Sequence, residues 1–233
     1  MIDAPALAPR SEPPARRAGG EVQRVFARVI DDITSGVLPA GAKLSEPDLA
    51  RALGVSRGPL REAIRLLEER RLVRCTPNLG ARVAVHTPRE VLAAYEVREA
   101  LEGLAARLAA RNMSDGERAE LRTVYEQEVS AARSRGYHSD FHMHIVRGSH
   151  NEGLVRMLGE DHYHLHKLWR LRCRWLRFGG ESSWSDHRRI LEAIEFRDPE
   201  CAEILMRRHV ARLRLESLEE LARRGIDLDE PGA

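Results

Sequence analysis

The chain has 233 residues, of which 42% are hydrophobic, 5% aromatic and 32% charged. This length suits two small domains, and the low aromatic content argues against a β-sandwich or barrel. No stretch approaches the roughly 20 apolar residues of a membrane span, and the first twenty residues lack the apolar region of a secretory signal. We therefore expect a cytoplasmic protein without a membrane partner, and its three widely spaced cysteines fit that reducing compartment.

The formal net charge of +2 conceals an uneven distribution along the chain. Residues 1–89 carry 15 basic and 10 acidic side chains, a balance of +5, whereas the remainder carries 23 and 26, a balance of −3. A basic front and an acidic rear indicate that the front part meets a polyanion.

The front of the chain begins with a predicted disordered tail over residues 1–20, which are rich in Pro, Ala, Gly and Arg. Apolar residues then recur at three- and four-residue steps, which predicts an amphipathic helix that stops at Ser35–Gly36. A second helix is predicted after Ser45, with Pro47 in its first turn, and a third is predicted with Ser56 as its N-cap.

The pattern after the third helix changes to strands and then back to helices. Residues 72–75 and 82–85 are short apolar or β-branched runs around a turn-rich tip, which predicts a two-stranded hairpin. Thr87 and Pro88 then mark a boundary, because they are typical residues of a helix start. Further helices are predicted at about 88–112, 115–134, 139–149, 152–178, 184–196 and 199–223.

The first three helices and the hairpin have the pattern of a winged helix-turn-helix. Leu49, Leu53 and Leu60 are predicted to face inward, and Gly54 supplies the turn between the second and third helices. The fold is therefore predicted to be mainly α, with a DNA-binding domain at 21–86, an all-α helical bundle at 87–223 and a frayed tail at 224–233. The alternative is a small helical domain whose arginines are only solvated.

A recognition helix needs hydrogen-bond donors in its first turns, where they reach base edges and phosphates in the major groove. The hairpin tip is placed to approach the minor groove or a phosphate. The predicted DNA-binding residues are Ser56, Arg57, Gly58, Arg61, Arg65, Asn78 and Gly80.

Nine of the ten histidines follow residue 137. His138 and His142 are four residues apart on one predicted helix, and His187 and His209 lie on two later helices. Imidazoles that converge from several helices of a bundle can hold a divalent cation. Such a pair four residues apart is, however, also common on solvated helix surfaces.

The segment LSEPDLARALGVSRGPLREAIRLLEERRLV, followed by PNLGARV, resembles the winged helix of GntR-type bacterial transcription regulators. The helical rear resembles the ligand-sensing FCD domain of their FadR-like branch, so the resemblance covers about residues 21–223. It implies a homodimeric regulator, more often a repressor, that binds a palindromic operator in double-stranded DNA. The alternatives are a metal-dependent hydrolase and a helical dimerisation scaffold, although the chain contains no G-x-S-x-G or HExxH motif.

The resemblance also implies roles for single residues of the winged helix. Arg57 and Arg61 match DNA-contacting arginines of the family, Ser56 matches its helix-capping contact, and Gly80 matches its wing-tip glycine. The chain departs from the family pattern at three positions, where a phosphate-contacting Arg, a Thr or Ser and a basic wing residue are usual. These departures are Pro47, Gly58 and Leu79.

In the rear domain, the segments FH at 141–142, SDHRRIL at 185–191 and RRH at 207–209 resemble the histidine motifs of metal-dependent FCD domains. The resemblance implies that His142, His187 and His209 bind a metal ion. The family places an Asp four residues before the first histidine, where this chain has His138, with Asp140 as a possible substitute. Imidazole ligands favour Zn²⁺ or Ni²⁺ over Mg²⁺.

Arg98 matches an Arg of the first FCD helix that resembles a carboxylate anchor in related sensors. The resemblance therefore implies a small organic acid as effector, with its carboxylate on the metal and on Arg98. The alternative is an ion pair with Glu102, one helical turn further on.

Overall fold

The computed structural model describes residues 18–132, 140–159 and 181–230. Most of the predicted N-terminal tail, His138 and the latter part of the predicted helix at 152–178 lie outside these residues. The described chain forms two compact units, of which the first ends at His86 and the second begins at Thr87.

The first unit is a three-helix domain with a small sheet. The elements are α1 (Ala18–Thr34), β1 (Lys43–Leu44), α2 (Glu46–Leu53), α3 (Arg57–Glu69), β2 (Val73–Thr76) and β3 (Gly80–Val83). The sheet is antiparallel with the order β1-β3-β2. One apolar core joins the inner faces of the three helices to the sheet, and it includes Val29, Leu49, Leu60, Leu67 and Val83.

The turn between α2 and α3 depends on Gly54. Its backbone lies in the left-handed region at φ +63°, and its N–H donates to the carbonyls of Ala50 and Arg51 at the end of α2. Leu53, which the sequence predicted to face inward, and Val55 are both partly buried against the core. A residue with a Cβ is strained in this conformation, so glycine sets the angle at which α3 leaves α2.

The wing is a hairpin whose strands are shifted from their predicted bounds by one or two residues. Val73 pairs with Val83 and Thr76 with Gly80, so the loop between the strands is shorter than expected. β1 was not predicted, because two residues that pair with β3 are too short to give a periodic pattern.

The described residues of the second unit form helices joined by short turns and contain no strand, which confirms the predicted mainly α fold. Its helices are α4 (Pro88–Asn112), α5 (Asp115–Ala132), α6 (Asp140–Gly148), α7 (Glu152–Leu158), α8 (Glu181–Glu195) and α9 (Pro199–Arg223). α4 and α9 run antiparallel, since Arg107 meets Glu203 at 2.9 Å and Glu99 meets Arg207 at 3.8 Å. Among the described helices, none is both long enough and apolar enough to cross a membrane.

The start of α4 is fixed from two sides. Thr87 and Glu90 form a reciprocal capping box, which satisfies two backbone N–H groups. Arg89 donates its backbone N–H to the carbonyl of Leu228 and pairs with the Asp229 carboxylate at 2.6 Å. Part of the predicted C-terminal tail therefore contacts the first turn of α4.

We expect Gly54→Ala to lower the free energy of unfolding by about 1 kcal/mol, because alanine is strained in the left-handed region. Gly58→Ala is the matched control. This glycine lies in the first turns of α3 with open space around it, so alanine should be neutral or raise stability by about 0.5 kcal/mol. Denaturant melts of both variants measure the difference, and equal effects would contradict the role of the turn.

Candidate functional site

The exposed start of α3 carries the arginines that were predicted to contact DNA. Ser56 occupies the N-cap position, but its side chain makes no capping hydrogen bond, so the expectation that its hydroxyl caps the helix is wrong. Its extended backbone alone sets the helix start. Gly58 and Arg57 are exposed beside it.

The three arginines of α3 have different partners. Within the described part of the chain, Arg57 forms no ion pair. Arg61 donates from Nε to Oε2 of Glu46 at 2.8 Å, which links α3 to the first residue of α2. Arg65 pairs with Glu62 at 2.6 Å and with Glu69 on its own helix.

The wing tip exposes an apolar residue between two positions of positive φ. Asn78 and Gly80 have φ angles of +65° and +80°, and Leu79 between them is 65% exposed. Arg74 and Arg82 stand opposite each other on the two strands and are both exposed. This basic pair was not predicted from the sequence, although its alternation in the hairpin could have revealed it.

Three buried histidines meet inside the second unit. The Nε2 atoms of His142 on α6 and His187 on α8 lie 3.1 Å apart, and those of His187 and His209 on α9 also lie 3.1 Å apart. The structure therefore brings together three of the four predicted ligands in a group of suitable size for one cation. The fourth, His138, lies outside the described residues, as does the side chain of Asp140.

Two carboxylates orient the outer nitrogens of this cluster. Oε2 of Glu102 lies 2.7 Å from Nδ1 of His142, and Oδ2 of Asp186 lies 3.2 Å from Nδ1 of His209. When a carboxylate oxygen accepts a hydrogen bond from Nδ1–H, the neutral imidazole has its lone pair on Nε2, the atom that faces the centre of the cluster. His187 is positioned differently, because its ring stacks on Phe141 with 4.6 Å between centroids.

Each carboxylate is held in turn by an arginine. Arg98 donates from Nε to Glu102 at 2.5 Å, and Arg212 donates to Asp186 at 2.7 Å. From the sequence, Glu102 was considered only as the partner of Arg98, and Arg212 was not identified. The four-residue spacing on one helix predicts the first pair, whereas nothing local links Arg212 to Asp186.

Burial and charge keep these groups in the protonation states that metal binding requires. Burial lowers the pKa of His187 well below its usual value and that of His209 to about 4. Burial opposes ionisation of Glu102, but Arg98 and His142 outweigh it and hold its pKa well below the usual range. His187 and His209 are therefore neutral at neutral pH, and the carboxylates of Glu102 and Asp186, whose pKa values are lowered, are ionised.

Arg98 lies at the edge of this centre and is only 6% exposed. Its guanidinium also lies 5.4 Å from the centre of the Tyr95 ring. The ion pair with Glu102, which the sequence left as one alternative, is present in the structure. A role for Arg98 in binding an effector stays a prediction.

The two units together define a class of protein. A winged helix-turn-helix presents arginines on its third helix, and a separate helical domain follows it in the chain with a buried polar centre. This is the organisation of a DNA-binding transcription regulator with its own sensory domain.

Comparisons with known proteins support this class. Residues 21–83 match bacterial regulatory proteins of the gntR family, and residues 93–212 match the FCD domain. The "Probable D-xylose utilization operon transcriptional repressor" of Paenarthrobacter nicotinovorans is 31% identical over 189 residues, 78% of this chain and 82% of that protein. The "Uncharacterized HTH-type transcriptional regulator YdhC" of Bacillus subtilis (strain 168) is 30% identical over 181 residues, 73% and 79% of the two chains. A solved structure from Rhodococcus sp. RHA1 shares the fold, with a TM-score of 0.71 at 24% identity over 86% of this chain and 98% of that one.

The chain belongs to the GntR family of bacterial transcription regulators and carries a C-terminal FCD domain. The resemblance found in the sequence is thereby confirmed. Members of these families regulate transcription and are not enzymes, so the hydrolase alternative is wrong. The scaffold alternative is also wrong, because the front domain binds DNA.

The metal-free protein should lose stability as the pH falls from 7 to 5. The pKa of His209 is lower in the folded chain than in the unfolded chain. As the pH falls, the unfolded chain is therefore protonated first, and this protonation stabilises it relative to the folded chain. A fall from the ordinary value of 6.5 to about 4 corresponds to a loss of about 2 kcal/mol by pH 5. Thermal melts after chelation measure this effect.

His209→Asn is the control for that experiment, because its amide can still donate to Asp186 but does not titrate. Its melting temperature should depend less on pH than that of the unaltered chain. Equal slopes in the two proteins would contradict the assignment to His209.

Proposed function

We propose that the protein is a homodimeric cytoplasmic repressor that binds a palindromic operator in double-stranded DNA. A small carboxylate effector would control it from a divalent metal site on His142, His187 and His209. The observation that carries the metal site is that Nε2 of buried His187 lies 3.1 Å from Nε2 of His142 and 3.1 Å from Nε2 of His209. The name of the relative from Paenarthrobacter nicotinovorans supports the choice of repressor.

The hydrogen-bond chemistry of the cluster favours a cation. Glu102 and Asp186 lie within hydrogen-bond distance of Nδ1 of His142 and of His209, so in the neutral tautomer that donates to the carboxylate the Nε2 atom of each is an acceptor. His187 can donate its Nε2 proton to only one of them, because a neutral imidazole has a single N–H. A positive ion satisfies all three nitrogens at once, and imidazole ligands with carboxylate partners are typical of transition-metal sites.

The ligand set suits Zn²⁺ or Ni²⁺, and His138 remains the proposed fourth ligand with Asp140 as the alternative. When bound, the ion would supply positive charge and an open position for an effector carboxylate. Three neutral imidazoles leave that charge uncompensated by the ligands themselves. An anionic effector is therefore favoured over a neutral one.

The proposed role of Arg98 follows from its place next to Glu102. An effector carboxylate that reaches Arg98 competes with Glu102 for the same guanidinium, and Glu102 also orients His142. Effector binding would therefore change contacts on α4 and α6 together. Such a change can alter DNA affinity only if the effector binds the two arrangements of the protein unequally.

The proposed dimer would use the outer sides of α4 and α9. Val97 and Leu104 are exposed seven residues apart on α4, at 47% and 39%, and Ile204 and Leu215 are exposed eleven apart on α9, at 50% and 49%. Both spacings place the two side chains on one helix face. Two antiparallel 25-residue helices, each about 37 Å long, offer a self-complementary surface of the size that a two-fold dimer needs.

The metal site is tested by His187→Ala combined with His209→Ala. The unaltered protein should contain about one Zn²⁺ or Ni²⁺ per chain by elemental analysis, and the double variant should contain none, because two of three described ligands are gone. His150→Ala is the matched control, since this histidine is exposed and pairs with Glu117 on the surface. Equal metal content in all three proteins would refute the site.

The dimer surface is tested by Leu104→Glu combined with Ile204→Glu. Buried carboxylates without partners should convert the dimer to a monomer in sedimentation, and the affinity for a palindromic duplex should fall at least tenfold. Met157→Glu, at a 64% exposed apolar position on α7, is the control and should stay dimeric. A dimeric double variant would exclude this surface.

A further inference from the structure

The arginines of α3 differ in how far their positions are fixed before DNA arrives. Arg57 has no ion pair within the described residues, and Arg65 is paired with two acids of its own helix. Arg61 alone among the three reaches across to another helix, where Oε2 of Glu46 accepts from its Nε at 2.8 Å. We propose that Glu46 is a positioning residue that orients Arg61 toward a guanine and thereby sets base specificity in each half-site.

The contact leaves the reading end of Arg61 available. Guanine presents two acceptors in the major groove, N7 and O6, and an arginine binds them with two parallel N–H groups. Glu46 occupies only Nε, so the two terminal nitrogens of Arg61 keep their donors. The carboxylate of Glu46 therefore binds the Nε side of the Arg61 guanidinium group, and the two terminal N–H groups remain able to bind a guanine.

The backbone position of Glu46 is fixed by the elements around it. It is the first residue of α2, where the helix dipole favours an acidic side chain. The preceding residue but one, Leu44, is buried and pairs with Ala81 of the wing sheet. The partners of Arg65 lack such an anchor, since Glu62 and Glu69 lie on the exposed face of the same helix.

Prior orientation raises specificity in two ways. An arginine that is already fixed loses less conformational freedom when it binds the correct base. The negative charge of Glu46 also repels phosphates, which weakens binding to DNA that offers no guanine to Arg61. Arg57, without a fixed partner, is suited to a phosphate contact, which adds affinity without sequence preference.

The test begins with a random-sequence duplex pool from which the unaltered protein selects its preferred site. Dissociation constants are then measured for the selected duplex and for an unselected duplex of equal length. Glu46→Gln should lower the ratio of the two affinities roughly 5- to 100-fold, the range for loss of one base contact. Arg61→Ala should lower it similarly, and the double variant should show no further fall.

The control is Asp48→Asn, which removes an equal charge from the same turn of α2 but pairs with Arg51 and not with Arg61. It should change both affinities alike and leave their ratio intact. If Glu46→Gln behaves as this control does, or if its effect adds to that of Arg61→Ala, Glu46 acts only through its charge and the proposal fails.

Glu46→Asp separates the positioning role from an effect on folding. It keeps an acidic residue at the start of α2, so the fold should be preserved, but its side chain is one carbon shorter. Thermal melts establish that each variant is folded. The aspartate variant should also lose specificity, with an affinity for the unselected duplex close to that of the unaltered protein. A normal ratio in Glu46→Asp would overturn the positioning role.

Discussion

The FCD domain encloses three imidazoles, those of His142, His187 and His209, which are at most 1% exposed. Bare nitrogen lone pairs in a core are costly unless they find a donor or a cation. Two carboxylates supply part of the hydrogen bonding. Glu102 on α4 accepts from Nδ1 of His142, and Asp186 on α8 accepts from Nδ1 of His209. Four helices must keep their register for this arrangement to exist, so the polar centre specifies the packing of the bundle.

The same centre connects the interior of the domain to its outer helices. One chain of contacts runs from Arg98 through Glu102 to His142, and a second runs from Arg212 through Asp186 to His209. The two arginines lie on α4 and α9, the same helices that carry the exposed apolar residues Val97, Leu104, Ile204 and Leu215. A rearrangement of the histidine cluster would therefore alter contacts of α4 and α9, the helices proposed to meet a second subunit. These contacts are a physical route for a signal.

The sequence predicted the elements better than the contacts between them. Periodicity gave α4 and α9 their bounds, and the position of Gly54 located the helix-turn-helix, because these signals are local. It could not predict that Glu46 reaches Arg61 or that Arg212 reaches Asp186, since these partners are 15 and 26 residues apart. β1 was missed for the same reason, as its two residues form a strand only because β3 lies beside them.

In both domains a carboxylate binds one nitrogen of a functional side chain and leaves the other nitrogens for other partners. Glu46 accepts a hydrogen bond from Nε of Arg61, whose terminal nitrogens keep their donors. Glu102 binds Nδ1 of His142, whose Nε2 faces His187. In each case the remaining atoms are preorganised for a partner from outside the chain. The settings differ in consequence, because the exposed pair contributes little to stability, whereas the buried one lies beside imidazole nitrogens that are grouped closely enough to hold a cation. A bound cation should therefore stabilise the domain as well as complete the site.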